Sequence, residues 1–224
     1  MPISTAKVGV MTPTYGAPLF ARQHCLQYSN QTRKPDVMVY YQNGEFPEYS
    51  WAVADVQRDF HIEWIYTDQR VRDETWYSVP IRYLLDQGCD YIFWSDDDDV
   101  YFANHVEVTL AALETGNADM VVGRYGGWLE TNRRNYRFTP NKDYCEVNGL
   151  CGGPSSVAFN RAFAEELLRD LELSIAGETV NIADQIMWWW TMPKFRVERL
   201  TDSVTFCYHA HAGTQSSSHV VQDL

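Results

Sequence analysis

The sequence predicts an α/β domain in which helices cover both faces of a mainly parallel central sheet. The first half of the chain alternates short β-rich runs with helical segments, the order that places parallel strands side by side and joins them by helices. One of these runs, Tyr91–Trp94, is apolar without a break, as expected of a central strand buried on both faces. The chain of 224 residues is also long enough to bury the core of one large domain.

The predicted elements of the first half alternate in type. We expect strands at Lys7–Met11, Asp36–Gln42, His61–Tyr66, Asp90–Ser95 and Asp119–Arg124, and helices at Pro18–Thr32, Pro47–Phe60, Glu74–Gln87 and Ala103–Thr115. In sheets of this kind ligands bind outside the carboxyl ends of the strands. The residues that follow each strand are therefore the first candidates for a functional site.

The second half has a less regular pattern. Residues 125–154 are rich in Gly, Asn and Pro, which predicts a long loop with room for one hairpin. After it we expect a strand at Ser156–Asn160, helices at Arg161–Asp170 and Asn181–Met192, and closing strands at Phe195–Leu200 and Val204–Tyr208. The polar tail after Gly213 is expected to be mobile.

The charge and the cysteine pattern restrict the possible partners and the compartment. The 18 basic and 30 acidic residues give a net charge of −12, which repels phosphate backbones and anionic membrane surfaces, so nucleic acid is a poor partner. An acidic protein that binds a nucleotide diphosphate needs a divalent cation to offset this repulsion. The sequence has no transmembrane stretch, no leader and no CxxC spacing, so we expect a cytoplasmic protein with reduced thiols.

Four consecutive aspartates, Asp96 to Asp99, follow the predicted strand Asp90–Ser95. If the backbone stays extended, Asp96 and Asp98 project to one side, and their carboxylates converge. Two such charges about 5 Å apart repel by roughly 3 kcal/mol at an effective dielectric near 20. A hard cation such as Mg²⁺ or Mn²⁺, shared with a diphosphate, removes that repulsion. The alternative is a solvated loop that only ends the strand.

With this run, in the text YIFWSDDDDVYF, the chain resembles family 2-type glycosyltransferases of the GT-A fold, whose hallmark is a D-x-D after a hydrophobic strand. The opening VGVMTPTYGAP is similar to the family's first strand and following loop, and VMVYYQNG to its second strand. The resemblance covers residues 7–212. It implies one GT-A domain over residues 1–224, with a nucleotide-binding half at 1–124, an acceptor-binding half at 125–212 and a tail at 213–224.

The resemblance also implies roles for single residues on the donor side. Asp96 and Asp98 would bind the metal ion, and Asp99 would support them. His211, in FCYHAHAG, is similar to the family's C-terminal histidine, which can complete the metal shell. The residues expected to contact the donor are Thr12, Pro13, Thr14, Tyr15, Asn43, Arg72, Asp96 and Asp97.

Two later segments are similar to the family's acceptor side. In NGLCGGPSSVAFNR, Gly152 and Gly153 would border the acceptor; the alternative is a simple turn. In ETVNIADQIMWWW, Asp184 would be the general base of an inverting transfer; the alternative is an aspartate that stabilises a helix N-terminus. On an α-helix Trp188 shares the face of Asp184 at i+4 and could carry the acceptor sugar, unless it only fills the core.

The activity that the resemblance implies is metal-dependent transfer of a sugar to a carbohydrate or other hydroxyl-bearing acceptor. The donor would be a nucleotide-diphosphate sugar, most commonly a UDP-sugar in this family, with Mn²⁺ or Mg²⁺ as the cation. Two other classes stay open. A nucleotidyltransferase or pyrophosphorylase normally has a basic, Gly-rich first loop, and TPTYGAP has no basic residue. A noncatalytic module could hold Ca²⁺ with the aspartates and carbohydrate with aromatic side chains.

Overall fold

The computed structural model describes residues 4–44, 50–69, 71, 73–132, 135–139, 157–177 and 183–211. For residues 73, 124–132, 135–139, 184, 201–202, 204 and 208–211 the description is of the main chain. The tail from residue 213 lies outside these ranges, as do Arg72, Gly152 and Gly153.

A single mixed sheet organises the described residues. Its strands are β1 (Val8–Thr14), β2 (Val37–Asn43), β3 (His61–Thr67), β4 (Tyr91–Trp94), β5 (Val100–Tyr101), β6 (Met120–Asn132), β7 (Asn135–Thr139), β8 (Val157–Asn160) and β9 (Val197–His211). Their order is β3-β2-β1-β4-β8-β6-β9-β5, and β7 pairs with β6. The strands β3, β2, β1 and β4 are mutually parallel, and β8 runs against β4 and β6. The predicted α/β class with a mainly parallel sheet is confirmed.

Helices cover both faces of the sheet, as predicted. The helices are α1 (Pro18–Ser29), α2 (Asp73–Asp86), α3 (His105–Thr115) and α4 (Arg161–Ala176). Side chains alternate between the faces along β1, so Val8 and Val10 pack with α1 and α3, and Met11 packs with α2 and α4. Gly9 permits the close approach of α2, because a Cβ there would lie 2.8 Å from Leu84 Cδ2.

The helix predicted at Pro47–Phe60 is wrong in its described part. Residues 50–60 contain only a 3₁₀ turn, Ser50–Val53. The Arg58 guanidinium donates to the carbonyl oxygens of Val53 and Val56, at 3.0 and 2.9 Å. A side chain therefore satisfies carbonyls that the next helical turn would otherwise bond, and the apolar side chains of Val53, Val56 and Phe60 are buried without a helix.

The predicted loop at 125–154 is also wrong over its described part, although the single hairpin it allowed is present. Strand β6 continues to Asn132 and pairs with β7 through Asn132 and Asn135. The two predicted closing strands are one strand, β9. Its register against β6 shifts where Val122 pairs with Arg199 and Arg124 with Val204, so four residues of β9 lie opposite one residue of β6 and interrupt the alternating pattern.

The bounds of the other predicted helices and strands differ less from those in the structure. Helix α4 continues to Ala176, six residues past the predicted end, and begins at a cap where Asn160 accepts a hydrogen bond from the Phe163 amide at 3.0 Å.

No helix in the described residues is long and apolar enough to cross a membrane.

Candidate active site

Three predicted site segments meet at one edge of the sheet. Strands β1, β2 and β4 are parallel neighbours, with Thr14 opposite Gln42 and Met11 opposite Trp94. Their carboxyl ends therefore place Thr12–Tyr15, Asn43 and the acidic run side by side, at the edge where ligands bind in sheets of this kind.

The acidic run lies where the chain leaves β4. Strand β4 ends at Trp94 and residues 97 and 98 form a turn, so the expectation of an extended backbone through the four aspartates is wrong. After this turn the chain forms β5, only two residues long, which pairs with β9. Exposure still alternates: Asp96 and Asp98 are partly exposed, whereas Asp97 and Asp99 are buried at 9% and 1% exposure. The two residues of the D-x-D spacing are thus the accessible ones.

Asp97 connects the acidic turn to the end of β1. The Thr14 hydroxyl donates to Asp97 Oδ2 at 2.5 Å in a buried position. Burial, and after it the charge of Asp98, raises the pKa of the Asp97 carboxyl well above its ordinary value, against the opposing effect of the Thr14 hydrogen bond. Thr14 and Asp97, both expected to contact the donor, contact each other.

Beneath the acidic turn lies a buried polar network that the sequence reasoning missed. His24 Nε2 is 2.7 Å from Ser95 Oγ, and His24 Nδ1 is 2.9 Å from the Tyr40 hydroxyl. The Tyr28 hydroxyl donates to Ser95 Oγ at 2.8 Å. Burial lowers the pKa of His24 to about 3, with a smaller contribution from His105, so its imidazole is neutral. One signal was available: His24 and Tyr28 are four apart on α1, on a face that packs against the sheet.

The other donor-side residues have different environments. Tyr15 is 42% exposed, and its ring lies over Gly44, where a Cβ would be 2.6 Å from Tyr15 Cε2. The amide of buried Asn43 is paired at both ends with the main chain of Val71: Oδ1 accepts from the amide at 2.8 Å, and Nδ2 donates to the carbonyl at 3.3 Å. Asn43 thus holds the chain next to Arg72.

The acceptor-side residues lie on an irregular helical segment. Residues 183–185 are α-helical and Ile186–Thr191 are π-helical; we call Ala183–Thr191 the 183–191 segment. The predicted α-helix is therefore wrong from Ile186 onward, and the i+4 spacing that paired Trp188 with Asp184 does not follow, because π-helical bonds join residues five apart. Trp188 is half-buried against the core, while Trp189 is 60% exposed.

His211 ends β9 opposite Thr131 of β6. In the same strand Cys207 pairs with Val100, the first residue after the four aspartates. From Cys207, which lies alongside the chain that leaves the acidic run, β9 continues for four residues to His211. The main chain brings the histidine region and the acidic run to neighbouring strands.

No protein-family model matches this sequence, and neither does any curated protein sequence. Solved structures match over most of the chain. S. aureus TarS 1–349 in complex with UDP-GlcNAc has a TM-score of 0.67 and 13% identity, over 95% of this chain and 61% of that one. Mannosyltransferase PcManGT from Pyrobaculum calidifontis, in complex with GDP-Man and Mn²⁺, has a TM-score of 0.64 and 13% identity, over 99% and 61%.

This chain has the GT-A fold. It spans less than two thirds of each of these two neighbours, and 37% of the longer S. aureus TarS structure, which it matches with a TM-score of 0.63. At these identities the similarity establishes the fold alone.

Proposed function

We propose that this GT-A chain is a metal-dependent glycosyltransferase that moves a sugar from a nucleotide diphosphate to an acceptor hydroxyl. The observation that carries the proposal is the pair of accessible carboxylates, Asp96 and Asp98, at the carboxyl edge of the sheet. The two structural neighbours support a nucleotide-sugar donor, since one was solved with UDP-GlcNAc and the other with GDP-Man and Mn²⁺. We propose a UDP-sugar as donor; a cytoplasmic location stays a prediction.

The donor set fits Mn²⁺ or Mg²⁺ that is shared with a diphosphate. Within the described ranges, no three His, Cys, Asp or Glu side chains are grouped so that they could hold a metal ion. Asp96 and Asp98 supply two hard oxygen ligands, and a cation held by one or two carboxylates takes its remaining ligands from phosphates and water. His211 is proposed as an additional ligand, and Asp99 as a supporting acid.

The donor nucleotide is proposed to lie across the ends of β1 and β2. The exposed ring of Tyr15 offers a flat apolar surface for the base. Thr12, Pro13 and Thr14 form the adjoining end of β1, and Asn43 sets the path of the chain that leads to Arg72. A guanidinium at Arg72 would bind the diphosphate and offset its charge.

The proposed reaction is a direct displacement at the anomeric carbon, with inversion. Asp184 accepts the proton of the acceptor hydroxyl as that oxygen attacks. Asp96 and Asp98 hold the diphosphate end of the donor in place through the shared cation. When bound, that cation supplies Lewis-acid stabilisation of the leaving diphosphate. Trp188, Gly152 and Gly153 are proposed to border the acceptor.

Isothermal titration with Mn²⁺ and UDP tests the donor site. We expect Mn²⁺-dependent UDP binding, and we expect Asp98→Ala to weaken it by at least about 100-fold, because a direct ligand matters more than the outer-shell groups that cost 10–100-fold. Asp86→Ala is the matched control, since Asp86 is an exposed aspartate at the end of α2. Metal-dependent binding of free sugar without nucleotide would instead indicate a carbohydrate-binding module, and Mn²⁺-dependent binding of a nucleoside triphosphate in preference to UDP a nucleotidyltransferase.

Asp184→Asn tests the catalytic assignment separately. An amide cannot accept the proton, so we expect kcat to fall by about 10³-fold while Mn²⁺-dependent UDP binding is unchanged. Turnover is measured as Mn²⁺-dependent transfer or hydrolysis from a panel of UDP-, GDP- and TDP-sugars. A variant that keeps its turnover would remove Asp184 from the proposed role.

A further inference from the structure

We propose that His24 is a positioning residue that holds the acidic turn in its metal-binding shape by fixing Ser95. The proposal rests on the proposed function, because the shape in question is that of Asp96 and Asp98 around a cation shared with a nucleotide. Nothing in the sequence motifs involves His24, which lies in the middle of α1 and is fully buried.

The hydrogen bonds around His24 have a consistent direction. The Tyr40 hydroxyl donates to the Ala21 carbonyl at 3.3 Å, so its oxygen is available to accept from His24 Nδ1–H. Nε2 is then the acceptor of the neutral ring and receives the Ser95 hydroxyl, whose oxygen accepts in turn from Tyr28. Each donor in this series of hydrogen bonds has an acceptor. The imidazole of His24 therefore joins Tyr40 of β2 to Ser95, the residue that precedes the aspartates.

Ser95 is the last residue held by the sheet before the acidic turn. Its amide donates to the Met11 carbonyl at 3.0 Å, and its hydroxyl is held by His24 and Tyr28. The main chain that carries Asp96 and Asp98 starts from this point. A small rotation at Ser95 would displace both carboxylates together, and site geometry must be held within about 0.5 Å to be productive.

Helix α1 also holds the far side of the turn. Gln27 Nε2 donates to the Asp99 carbonyl at 3.3 Å, and Gln27 Oε1 accepts from the Tyr101 amide at 2.6 Å. One turn later Gln31 donates to the Phe102 carbonyl at 2.8 Å and accepts from the Val106 amide at 3.1 Å. His24, Gln27, Tyr28 and Gln31 have the spacing i, i+3, i+4 and i+7, so one polar stripe of α1 contacts both sides of the acidic run.

A core histidine of the same kind provides the control. His105 is equally buried in the same aromatic cluster, 4.9 Å from the Tyr101 ring between centroids, and burial lowers its pKa to about 3. Among the described residues its Nδ1 has no hydrogen-bond partner. His105 thus shares the burial and charge state of His24 without a bond to Ser95.

The test compares substitutions at the two histidines by titration of Mn²⁺ and UDP, well below each variant's melting temperature. His24→Asn keeps a donor for Tyr40 and loses the acceptor for Ser95, so we expect about tenfold weaker binding. His24→Gln keeps an acceptor at the Nε2 position, and we expect it to weaken UDP binding by no more than about threefold. His105→Gln should bind within about twofold of the unaltered chain, although its melting temperature also falls.

A tyrosine pair keeps the test decisive if the histidine variants do not fold. Tyr28→Phe removes only the hydroxyl that donates to Ser95, and we expect about threefold weaker Mn²⁺-dependent UDP binding. Tyr83→Phe removes a hydroxyl that donates to Glu63 on the other face of the sheet at 3.2 Å, and should leave binding unchanged. The role of His24 would be overturned if His24→Asn bound UDP as tightly as His24→Gln and His105→Gln do. Equal UDP binding by Tyr28→Phe and Tyr83→Phe would also overturn it, because the hydrogen bonds to Ser95 would then have no effect on the site. Absence of Mn²⁺-dependent nucleotide binding in the unaltered chain would overturn the proposed function and this inference with it.

Discussion

Thr14 and Asp97 show how single side chains shape the edge of the sheet. Asp97 is buried next to other carboxylates, an arrangement that costs free energy unless the carboxyl is hydrogen-bonded. The Thr14 hydroxyl provides that bond, at 2.5 Å, from the last residue of β1. The four aspartates therefore divide into two accessible and two buried residues, with the buried Asp97 tied to the sheet.

Replacement of Thr14 by valine removes this hydrogen bond while the shape is kept. We expect Thr14→Val to lower the free energy of unfolding by about 1–3 kcal/mol, because a buried acceptor loses its donor. Urea unfolding at neutral pH measures the change. Thr109→Val is the control, since the buried Thr109 hydroxyl has no hydrogen-bond partner in the part of the chain that is described. Equal losses in the two variants would show that the Thr14 bond has no stabilising effect.

Among the elements, the 183–191 segment is held at its C-terminal end by an ionic cluster. Lys194 Nζ lies 2.6 Å from Glu166 Oε1 and 2.8 Å from Asp170 Oδ2, and the Thr191 hydroxyl donates to Asp170 at 2.7 Å. Asp170 and Glu166 belong to α4, so the cluster joins the end of the π-helix to a helix that packs on the sheet. This connection fixes the C-terminal end of the segment, at Thr191.

Lys194→Met leaves buried Asp170 without its cation. We expect the free energy of unfolding to fall by about 1–3 kcal/mol, since breaking one side of a buried pair leaves a charge that is only partly compensated. Chemical unfolding followed by circular dichroism measures this. Lys34→Met is the matched control, because Lys34 and Asp59 form an exposed pair whose loss should not be measurable. A similar result for both lysines would mean that the cluster does not stabilise the segment.

For the whole molecule, the two buried histidines make stability depend on pH. Burial lowers the pKa of His24 and of His105 to about 3, against about 6.5 for an exposed histidine. Between these values the unfolded chain binds protons that the native protein does not. Stability is therefore fully present above pH 6.5 and is lost as the pH falls toward 3. The raised pKa of Asp97 acts in the opposite direction, because protonation of that carboxyl favours the native state.

His105→Gln isolates one of these contributions. Each buried histidine should contribute a loss of about 1.4 kcal/mol per pH unit well below pH 6.5, so the variant should have a slope shallower by about that amount between pH 6 and 4.5. Urea unfolding at intervals of half a pH unit measures the slope, with Asp97 common to both proteins. A slope that stays the same in His105→Gln would contradict the buried neutral state.

The sequence predicted those elements whose pattern is local. The strands β1, β2, β3 and β4 were each predicted within three residues at either end, because runs such as Val37–Tyr41 are apolar and consist mostly of β-branched or aromatic residues. The failures have two different causes. The Arg58 side chain, only five and two residues further along, bonds the carbonyls of Val53 and Val56, a side-chain contact that the apolar pattern does not reveal. The bulge of β9 is defined only by its pairing with β6, which is distant in the sequence.

The α/β class, the mainly parallel sheet and the acidic run at the end of a buried strand were all predictable from the order of the amino acids, because periodicity and charge are properties of neighbouring residues. The folded chain was needed to show which aspartates are accessible, that Thr14 and Asp97 contact each other, and that His24 lies beneath Ser95. These facts depend on side chains 71 and 83 residues apart in the chain. Such pairs meet only after the sheet has formed, because parallel strands bring their carboxyl ends to one edge.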